Sequence, residues 1–157
     1  MGKLEVSVVI KRPVEEVFSY VNDPANDTTW SSGLVESNQI SEGPVGVGTI
    51  GREVNRILGK NVETIYEITE YEPNRRRSCK SISGPFPWQG KYTFESVKGG
   101  TKVTMAAEFQ IGRFFKLAEP IAIRMVKRQF KADFNNLKDL LEASPSVTPE
   151  ERFYLEK

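Results

Sequence analysis

The sequence predicts an α+β protein, with an antiparallel sheet in the middle of the chain and helices towards both ends. Three observations lead to this fold class. The 157 residues are the length of one ordinary domain. Apolar and polar residues alternate through much of 34–111, which is the period of a strand with one buried face. From residue 114 the apolar residues recur every three or four positions, which is the period of a helix.

The N-terminal segment predicts a strand followed by two short helices. Its inward-facing residues are expected at even positions, namely Leu4, Val6, Val8 and Ile10. Residues 13–22 predict a helix, because a proline suits a first turn and apolar residues follow at helical spacing. Asp23-Pro24 ends that helix. Residues 26–32 are expected to form a second short helix or a loop that carries Trp30.

The middle of the chain predicts about six strands separated by turns that contain glycine or proline. Their expected ranges are 34–41, 50–58, 62–71, 76–83, 88–95 and 102–111. Gly59-Lys60-Asn61 and Gly99-Gly100 predict tight hairpins. The sheet that results needs cover on only one of its faces.

The C-terminal segment predicts a long amphipathic helix over residues 114–143. Its apolar stripe consists of Ile123, Val126, Phe130, Phe134, Leu137 and Leu141. Pro120 is expected to kink the start of this helix or to divide it in two. Ser144-Pro145 should end it, which makes 1–143 a single domain and 144–157 a loosely ordered tail.

The composition excludes several classes of chemistry. The chain has no histidine, so a histidine base, a Ser-His-Asp triad and a His-ligated zinc site are all excluded. Cys79 is the single cysteine, so we expect a buried apolar residue and no metal cluster. The 22 basic and 21 acidic residues give a net charge of +1, which gives no support to nucleic-acid binding through bulk charge.

Neither a targeting segment nor a bound cofactor is expected. The N-terminus has no apolar core of a signal peptide, and no run approaches the ~18 apolar residues of a membrane span. The sequence therefore predicts a cytoplasmic protein, either a monomer or a homodimer.

Gly46-x-Gly48-x-x-Gly51 matches the dinucleotide fingerprint formally, but a strand pattern follows it where that motif requires a helix. We therefore expect these glycines to turn the chain, and no cofactor to bind.

A series of motifs runs in order along residues 3–143. They are Val9–Pro13 continuing into Val14–Val21, Asp23-Pro24 followed by Trp30, Gly46–Thr49, Tyr66–Pro73, Gly90–Glu95, and Gly99–Thr104 before the closing helix. Together they resemble the START/polyketide cyclase–dehydrase/lipid-transport superfamily. The resemblance implies the helix-grip fold of the birch-pollen allergen, in which a curved seven-stranded antiparallel sheet wraps around a long C-terminal helix, with two short helices after the first strand. It also implies an internal cavity that holds a hydrophobic or amphipathic small molecule.

Ten residues are expected to bind that ligand. The resemblance implies that six of them face the interior, and the strand and helix periods select the same positions: Tyr92, Phe94, Met105, Phe109, Phe130 and Phe134. An aromatic wall with polar tips would orient the ligand, formed by Trp30, Tyr66, Trp88 and Tyr92. Arg52 is the tenth. Arg52 and Arg56 lie on the same side of the predicted strand as Ile50, Val54 and Leu58. If that side faces inward, the two arginines enter the interior and bind a ligand anion. Otherwise they pair at the rim with Glu36 or Glu63.

Two basic segments have alternative interpretations. One helix face carries Arg124, Lys127, Arg128 and Lys131. Such a face binds anionic lipid when an apolar stripe accompanies it, but here the sheet needs that stripe, which favours a solvated face. Arg75-Arg76-Arg77 also favours a solvated run, paired with Glu70 or Glu72. Glu119 is expected to cap the helix or lie at the surface, with a general base as the alternative.

Three functional hypotheses remain. The first is a protein that binds or transports a hydrophobic small molecule. The second is a polyketide cyclase or dehydratase in which arginine and tyrosine stabilise an enolate, without assistance from histidine. The third is an interaction module of the co-chaperone type, with little cavity. A deeply placed ionisable group would favour the enzyme, and an exposed apolar patch would favour the interaction module.

Overall fold

The computed structural model describes residues 2–57, 59–110 and 119–143. In that part of the chain it shows the predicted helix-grip architecture, with a curled antiparallel sheet and a long C-terminal helix. The strands are β1 (Gly2–Ile10), β2 (Leu34–Gln39), β3 (Ile50–Ile57), β4 (Lys60–Glu72), β5 (Arg76–Ser83), β6 (Trp88–Val97) and β7 (Gly100–Phe109). The helices are α1 (Val14–Val21), a 3-10 turn (Pro24–Asn26), α2 (Asp27–Trp30) and α3 (Glu119–Ala143).

The sheet has the strand order β1-β7-β6-β5-β4-β3-β2. Strands β2 to β7 form successive hairpins, and β1 pairs with β7, with Gly2 opposite Phe109 and Ile10 opposite Thr101. The segment from α1 to α2 therefore connects one edge strand to the other. Irregularities in the ladders of β2 and β4 accompany the curvature of the sheet, because a bulge bends the strand that contains it.

The main core lies between the sheet, α1 and α3. The inward positions predicted for β1 are confirmed, because Leu4, Val6 and Ile10 are buried and Val8 is half-buried. Phe134 and Leu137 of α3 are almost completely buried against them. Each such side chain contributes about 1.5–3 kcal/mol through the apolar surface that it removes from water.

The hairpin turns lie slightly earlier in the chain than the sequence predicted. Ile57 already pairs with Lys60, and Asn61 with Arg56, so Lys60 and Asn61 belong to β4 and not to the turn. Gly59 adopts φ 80°, a left-handed conformation that favours glycine. This conformation lets the chain reverse before Lys60.

Helix α3 is continuous over Glu119–Ala143, so within the described range Pro120 does not divide it. Pro120 lies in the first turn of this range, where a missing N–H is tolerated. Residues 114–118, the stop at 144–145 and the tail 144–157 lie outside the described residues, and the division into a domain 1–143 and a tail stays a prediction. Across the described part of the chain, no helix combines the length and apolar character needed to cross a membrane.

The C-terminal half of α3 is fastened to the end of β1. Lys138 Nζ donates to the carbonyl oxygen of Val9 at 3.0 Å, and the backbone N–H of Lys11 donates to Glu142 Oε1 at 2.9 Å. Arg12 donates to the carbonyl oxygen of Glu142 at 2.9 Å. These contacts hold the helix across the sheet at one end.

Candidate functional site

Ionisable side chains from five neighbouring elements meet on the inner face of the sheet. We call this set the interior polar cluster, and its members are Asp27, Glu53, Tyr66, Arg77, Cys79 and Tyr92. They come from α2, β3, β4, β5 and β6. Residues directly opposite one another in an antiparallel ladder share a face, so the strand register decides which side chains meet here.

The register places Glu53 on the inner face. Glu53 is opposite Thr64 on β4 and Ser37 on β2, and Thr64 is buried. Its carboxylate accepts a hydrogen bond from the side chain of Asn55, the next inward residue of β3. Burial nevertheless raises the pKa of Glu53 to about 7, and the charge of Asp27 raises it further, while Arg77 opposes both effects.

Asp27 provides the second carboxyl group, from the first turn of α2. Ser37 Oγ donates to Asp27 Oδ2 at 2.7 Å, which ties α2 to the edge strand β2. Burial raises the pKa of Asp27 to about 6, against the lowering effects of the Ser37 hydrogen bond and of Arg77. Two carboxyl groups therefore titrate close to neutral pH within one cluster.

Arg77 supplies the positive charge of the cluster. It lies opposite Tyr92 in the β5–β6 ladder, and its Cζ is 5.2 Å from the centroid of the Tyr92 ring, a cation–π contact. Its Nε is buried and has no hydrogen-bond partner among the described residues. No ion pair joins Arg77 to Asp27 or Glu53 within that part of the chain. A guanidinium in such a position has donors left to satisfy.

The two tyrosines and the cysteine of the cluster stay protonated. Burial raises the pKa values of Tyr66, Tyr92 and Cys79 above their ordinary range. The phenols are therefore neutral hydrogen-bonding groups, and the Cys79 thiol has little nucleophilic character. The Tyr66 ring lies directly over Gly51, where an added Cβ would be 2.2 Å from Tyr66 Cζ.

Aromatic rings connect the cluster with α3. The ring of Phe134 is 6.1 Å from that of Trp30 and 6.2 Å from that of Tyr92, measured between centroids. Trp30 is only 6% exposed, and its Nε1 has no hydrogen-bond partner among the described residues. A second unsatisfied donor therefore lies in the interior, together with Arg77 Nε.

A model of the polyketide cyclase / dehydrase and lipid transport family matches residues 1–142. The chain belongs to this family. No protein of curated function matches it.

Solved structures of low sequence identity share the fold. A protein from Thermus thermophilus is 19% identical, with a TM-score of 0.79, 92% of this chain and 100% of that chain covered. A START superfamily protein from Mycobacterium smegmatis is 12% identical, with a TM-score of 0.77 and coverage of 90% and 97%. The Zhui aromatase/cyclase from a Streptomyces species is 15% identical, with a TM-score of 0.74 and coverage of 90% and 93%.

In this polyketide cyclase / dehydrase and lipid transport family member, the four residues of the predicted aromatic wall form two groups. Trp30 and Tyr92 contact Phe134 in the main core. Tyr66 and Trp88, with rings 6.3 Å apart, pack with Ile68 and Cys79 at the neighbouring part of the sheet. The interior polar cluster extends across both groups, because Tyr66 and Tyr92 belong to it.

The other predicted aromatic and aliphatic residues lie in or against the main core. Phe94 and Met105 are buried, and Phe94 contacts Phe18 with ring centroids 5.0 Å apart. Phe109 and Phe130 are half-buried and pack on the same core. The two half-buried rings keep surface that a ligand could contact.

Arg52 does not join the interior polar cluster. It donates to Glu36 and to Glu63, each at 2.8 Å, on the sheet face opposite Glu53. The structure thus shows the rim pairing and not the inward ligand anchor, and Arg56 is exposed. Arg52 and Val54 do share a face of β3, but it is the outer face, because Gly51 lies beneath the Tyr66 ring on the inner one.

Sequence reasoning missed Asp27, Glu53 and Arg77. Arg75 and Arg76 do pair with Glu72, at 3.2 and 2.9 Å, as a solvated run would, but Arg77 points inward. The inward position of Arg77 could have been predicted, because Arg77 is two residues before Cys79 in the same strand and therefore faces the same side. Cys79 was expected to be buried. The side chain of Glu119 lies outside the described residues.

The surface near α1 carries a concave region of about 570 Å³, at the end of the fold where the β4–β5 turn lies. Its walls include Phe18, Asn22, Tyr71 and Asn74. Phe18 and Tyr71 also contact the core, with ring centroids 5.6 Å apart.

Proposed function

We propose that the protein binds a hydrophobic or amphipathic small molecule between the sheet and α3, and that the interior polar cluster holds the polar end of that molecule. The observation that carries this proposal is the unsatisfied state of Arg77. A guanidinium buried beside two carboxyl groups, with its Nε unpaired, is unfavourable in a core built for stability alone. A ligand that accepts its hydrogen bonds removes that penalty.

The accessible surfaces of the cluster support an internal space. Glu53, Arg77 and Tyr92 are each only half-buried, yet burial is the largest influence on the pKa of each. Side chains that lie deep in the protein and still keep accessible surface are what we expect at the wall of a ligand site. The half-buried rings of Phe109 and Phe130 would contact the apolar body of the ligand, at about 25 cal/mol for each Å² of surface removed from water.

The charges of the cluster favour an uncharged polar end. A carboxylate end would meet one guanidinium and two carboxyl groups, so it would be repelled more than it is attracted. A hydroxyl or carbonyl oxygen accepts hydrogen bonds from Arg77 Nε and Trp30 Nε1, and a hydroxyl also donates to Glu53 or Asp27. We therefore propose a ligand that carries hydroxyl or carbonyl groups on an apolar, ring-sized body.

Calorimetric titration with two matched compounds tests this function. At pH 7, 2-naphthol is neutral and 2-naphthoate is an anion on the same ring system. We expect 2-naphthol to bind at least ten-fold more tightly. Arg77→Met should weaken 2-naphthol binding, and Arg52→Met, which removes an arginine from the opposite face, should leave it unchanged.

Each outcome of that titration is decisive. If neither compound binds, and a panel of other hydroxylated aromatic and alicyclic compounds also fails, the binding function is wrong. If 2-naphthoate binds more tightly, the uncharged end is wrong. If Arg77→Met is unfolded by circular dichroism, Arg77→Lys provides the comparison, because it keeps the charge but loses Nε.

A second candidate function is a cyclase or dehydratase reaction, favoured by the two carboxyl groups with pKa values of about 6 and 7. Glu53 as a carboxylate would take a proton from a carbon between two carbonyl groups, and Arg77 would stabilise the enolate. The enolate carbon would then bond to another carbonyl carbon of the same chain, and the new alkoxide would take the proton back from Glu53. No histidine is needed.

Proton exchange tests the first step of this reaction. In deuterium oxide, the protein should speed the loss of the central C–H signal of benzoylacetone above the buffer rate, as followed by NMR. Glu53→Gln should abolish the acceleration, and Glu63→Gln, on the outer face, should keep it. An acceleration that survives Glu53→Gln, or no acceleration, would reject the enzyme and leave the binding function standing.

The third hypothesis, a co-chaperone-like module, does not require an interior polar cluster and has no support from it.

A further inference from the structure

One face of the N-terminal half of α3 is exposed, although Ile123 and Phe130 on another face of that half pack on the core. Ile121 is 64% exposed and Met125 is 62% exposed, whereas Phe134 in the second half is 1% exposed. Both exposed residues lie outside the apolar stripe that packs on the sheet. Val126, which the sequence placed in the inward stripe, is also 36% exposed, and Leu140 is 40% exposed, so Ile121 and Met125 are the most exposed large apolar side chains of α3.

These apolar residues share a face with basic ones. Ile121, Arg124, Met125 and Arg128 have the spacing i, i+3, i+4, i+7, so they lie on one side of the helix. We call these four residues the α3 outer face. All four are exposed.

Charge is distributed unevenly along α3. Residues 120–132 contain four basic residues and no acidic one, since Lys127 and Lys131 accompany Arg124 and Arg128. The C-terminal half carries Asp133, Asp139 and Glu142. The positive charge is therefore concentrated around the exposed Ile121 and Met125.

We propose that the α3 outer face docks on an anionic lipid bilayer. A helix that lies in the interfacial plane places apolar side chains below the headgroups and basic side chains against the lipid phosphates, and this face offers both. Positive charge complements the negative surface of such a membrane. Sequence reasoning favoured a solvated basic face because the sheet needs the apolar stripe of the helix, but Ile121 and Met125 lie outside that stripe and are exposed beside the basic residues.

A nucleic acid is a less suitable occupant for this face. Single-stranded RNA would stack on aromatic side chains placed among the basic ones, and the apolar members here are aliphatic. Aliphatic side chains gain free energy by entering the acyl boundary of a membrane. The combination of exposed aliphatic and basic side chains on the α3 outer face therefore favours a lipid bilayer over a nucleic acid.

Vesicle flotation tests the proposal on the ligand-free, full-length protein. We expect binding to vesicles of phosphatidylcholine with 30% phosphatidylserine, loss of binding in 0.5 M NaCl, and no binding to phosphatidylcholine alone. Each basic residue contributes about five-fold to the partition coefficient, so R124Q/R128Q should reduce it about 25-fold. Ile121→Ser combined with Met125→Ser should also reduce it, because both apolar contacts are lost.

A matched control removes charge elsewhere. Lys98 and Lys102 are exposed at the β6–β7 hairpin, and K98Q/K102Q should float like the wild type. The proposal is overturned if neither vesicle binds, if both bind equally, or if the control loses binding as strongly as R124Q/R128Q. It is also overturned if a labelled single-stranded RNA binds this face more tightly than the vesicles, or if the face forms a dimer by sedimentation. Because R124Q/R128Q should keep its affinity for 2-naphthol, failure here leaves the small-molecule function intact.

Discussion

The guanidinium of Arg77 lies against the ring of Tyr92, with 5.2 Å between its Cζ and the ring centroid. The two residues are direct partners across β5 and β6, so the sheet itself holds the positive charge in the interior. From there Arg77 lowers the pKa of both Asp27 and Glu53 without a direct ion pair among the described residues. Arg77 thus opposes the effect of burial on the pKa values of both carboxyl groups.

Removing this charge should raise both carboxyl pKa values. In Arg77→Met, we expect the pKa of Glu53 to rise above 7 and that of Asp27 above 6, because only the hydrogen bonds from Asn55 and Ser37 then oppose burial and mutual repulsion. NMR titration of the side-chain carboxyl carbons measures this directly. Unchanged values in the folded variant would show that Arg77 does not act on the carboxyl groups.

Stability should decrease as the pH rises from about 5 to 8. The pKa of Glu53 is raised from 4.5 to about 7 on folding, and that of Asp27 from 3.8 to about 6, so the folded state holds protons that the unfolded chain releases. The stabilisation is therefore full below the unfolded pKa values and is lost as the pH passes the folded ones. For Glu53 the change is at most roughly 3 kcal/mol.

Urea denaturation at the two pH values measures that change. Glu53→Gln should be more stable than the wild type at pH 8 and should show a smaller difference between the two pH values. Glu63→Gln should keep the full difference, since Glu63 is exposed and paired with Arg52. Parallel pH curves for the wild type and Glu53→Gln would contradict the buried, protonated state of Glu53.

Trp30→Phe should separate ligand binding from stability. The mutation removes the buried Nε1, which has no partner in the described part of the chain, so the loss of apolar area is offset by relief of about 1–3 kcal/mol of desolvation. We expect little change in the midpoint of thermal unfolding and a five- to ten-fold weaker affinity for 2-naphthol. Unchanged affinity would remove Trp30 from the site.

Gly51→Ala should displace Tyr66. The new methyl group would lie 2.2 Å from Cζ and 2.3 Å from Oη, so the ring must move, at about 1–3 kcal/mol. Gly46→Ala is the control, because a Cβ there meets nothing within 4 Å. In a Tyr66→Ala background the ring is absent, so Gly51→Ala should cost much less free energy of unfolding, as measured by chemical denaturation. An equal cost in both backgrounds would show that the ring does not lie over Gly51.

Phe109→Ala should affect ligand release more than folding. Phe109 is half-buried, whereas Phe94 is 5% exposed, so Phe94→Ala should lose the several kcal/mol typical of a core phenylalanine and Phe109→Ala clearly less. Stopped-flow measurement of 2-naphthol release should show the larger acceleration in Phe109→Ala. Equal affinity in that variant and the wild type would exclude Phe109 from the site.

The strands and the main core could be predicted because they depend on local periods. Leu4, Val6 and Ile10 alternate with polar residues, and Phe134 and Leu137 follow the helical stripe. The spacing of these residues along the chain therefore predicts that they are buried. The cluster could not be predicted in the same way. Asp27, Glu53 and Arg77 are charged, and a charged residue is assigned to the surface unless the register across several strands is known.

The two alternatives for Arg52 show the same limit, because the sequence alone could not decide between the interior and the rim. The inward alternative depended on Val54, which lies on the same side of β3 as Arg52. Val54 is buried, but it is buried on the outer face of the sheet, together with Arg52, Glu36 and Glu63. Burial of one apolar residue therefore did not identify the inner face of β3. The contact of Gly51 with Tyr66 identifies it, and such a contact becomes visible only when two strands are paired.

The fastening of α3 at one end has a kinetic consequence. Lys138 and Glu142 bind the end of β1, and the buried Phe134 and Leu137 lie in the same half, so those turns can open only when the core opens. The turns around Ile121 and Met125 contact the core through the half-buried Ile123, and Ile121 and Met125 themselves are more than 60% exposed. We expect their amide hydrogens to exchange with deuterium orders of magnitude faster than those of 134–141, as measured by mass spectrometry of peptides. Opening of those turns alone would expose the core beside Ile123 while Phe134 and Leu137 stay packed.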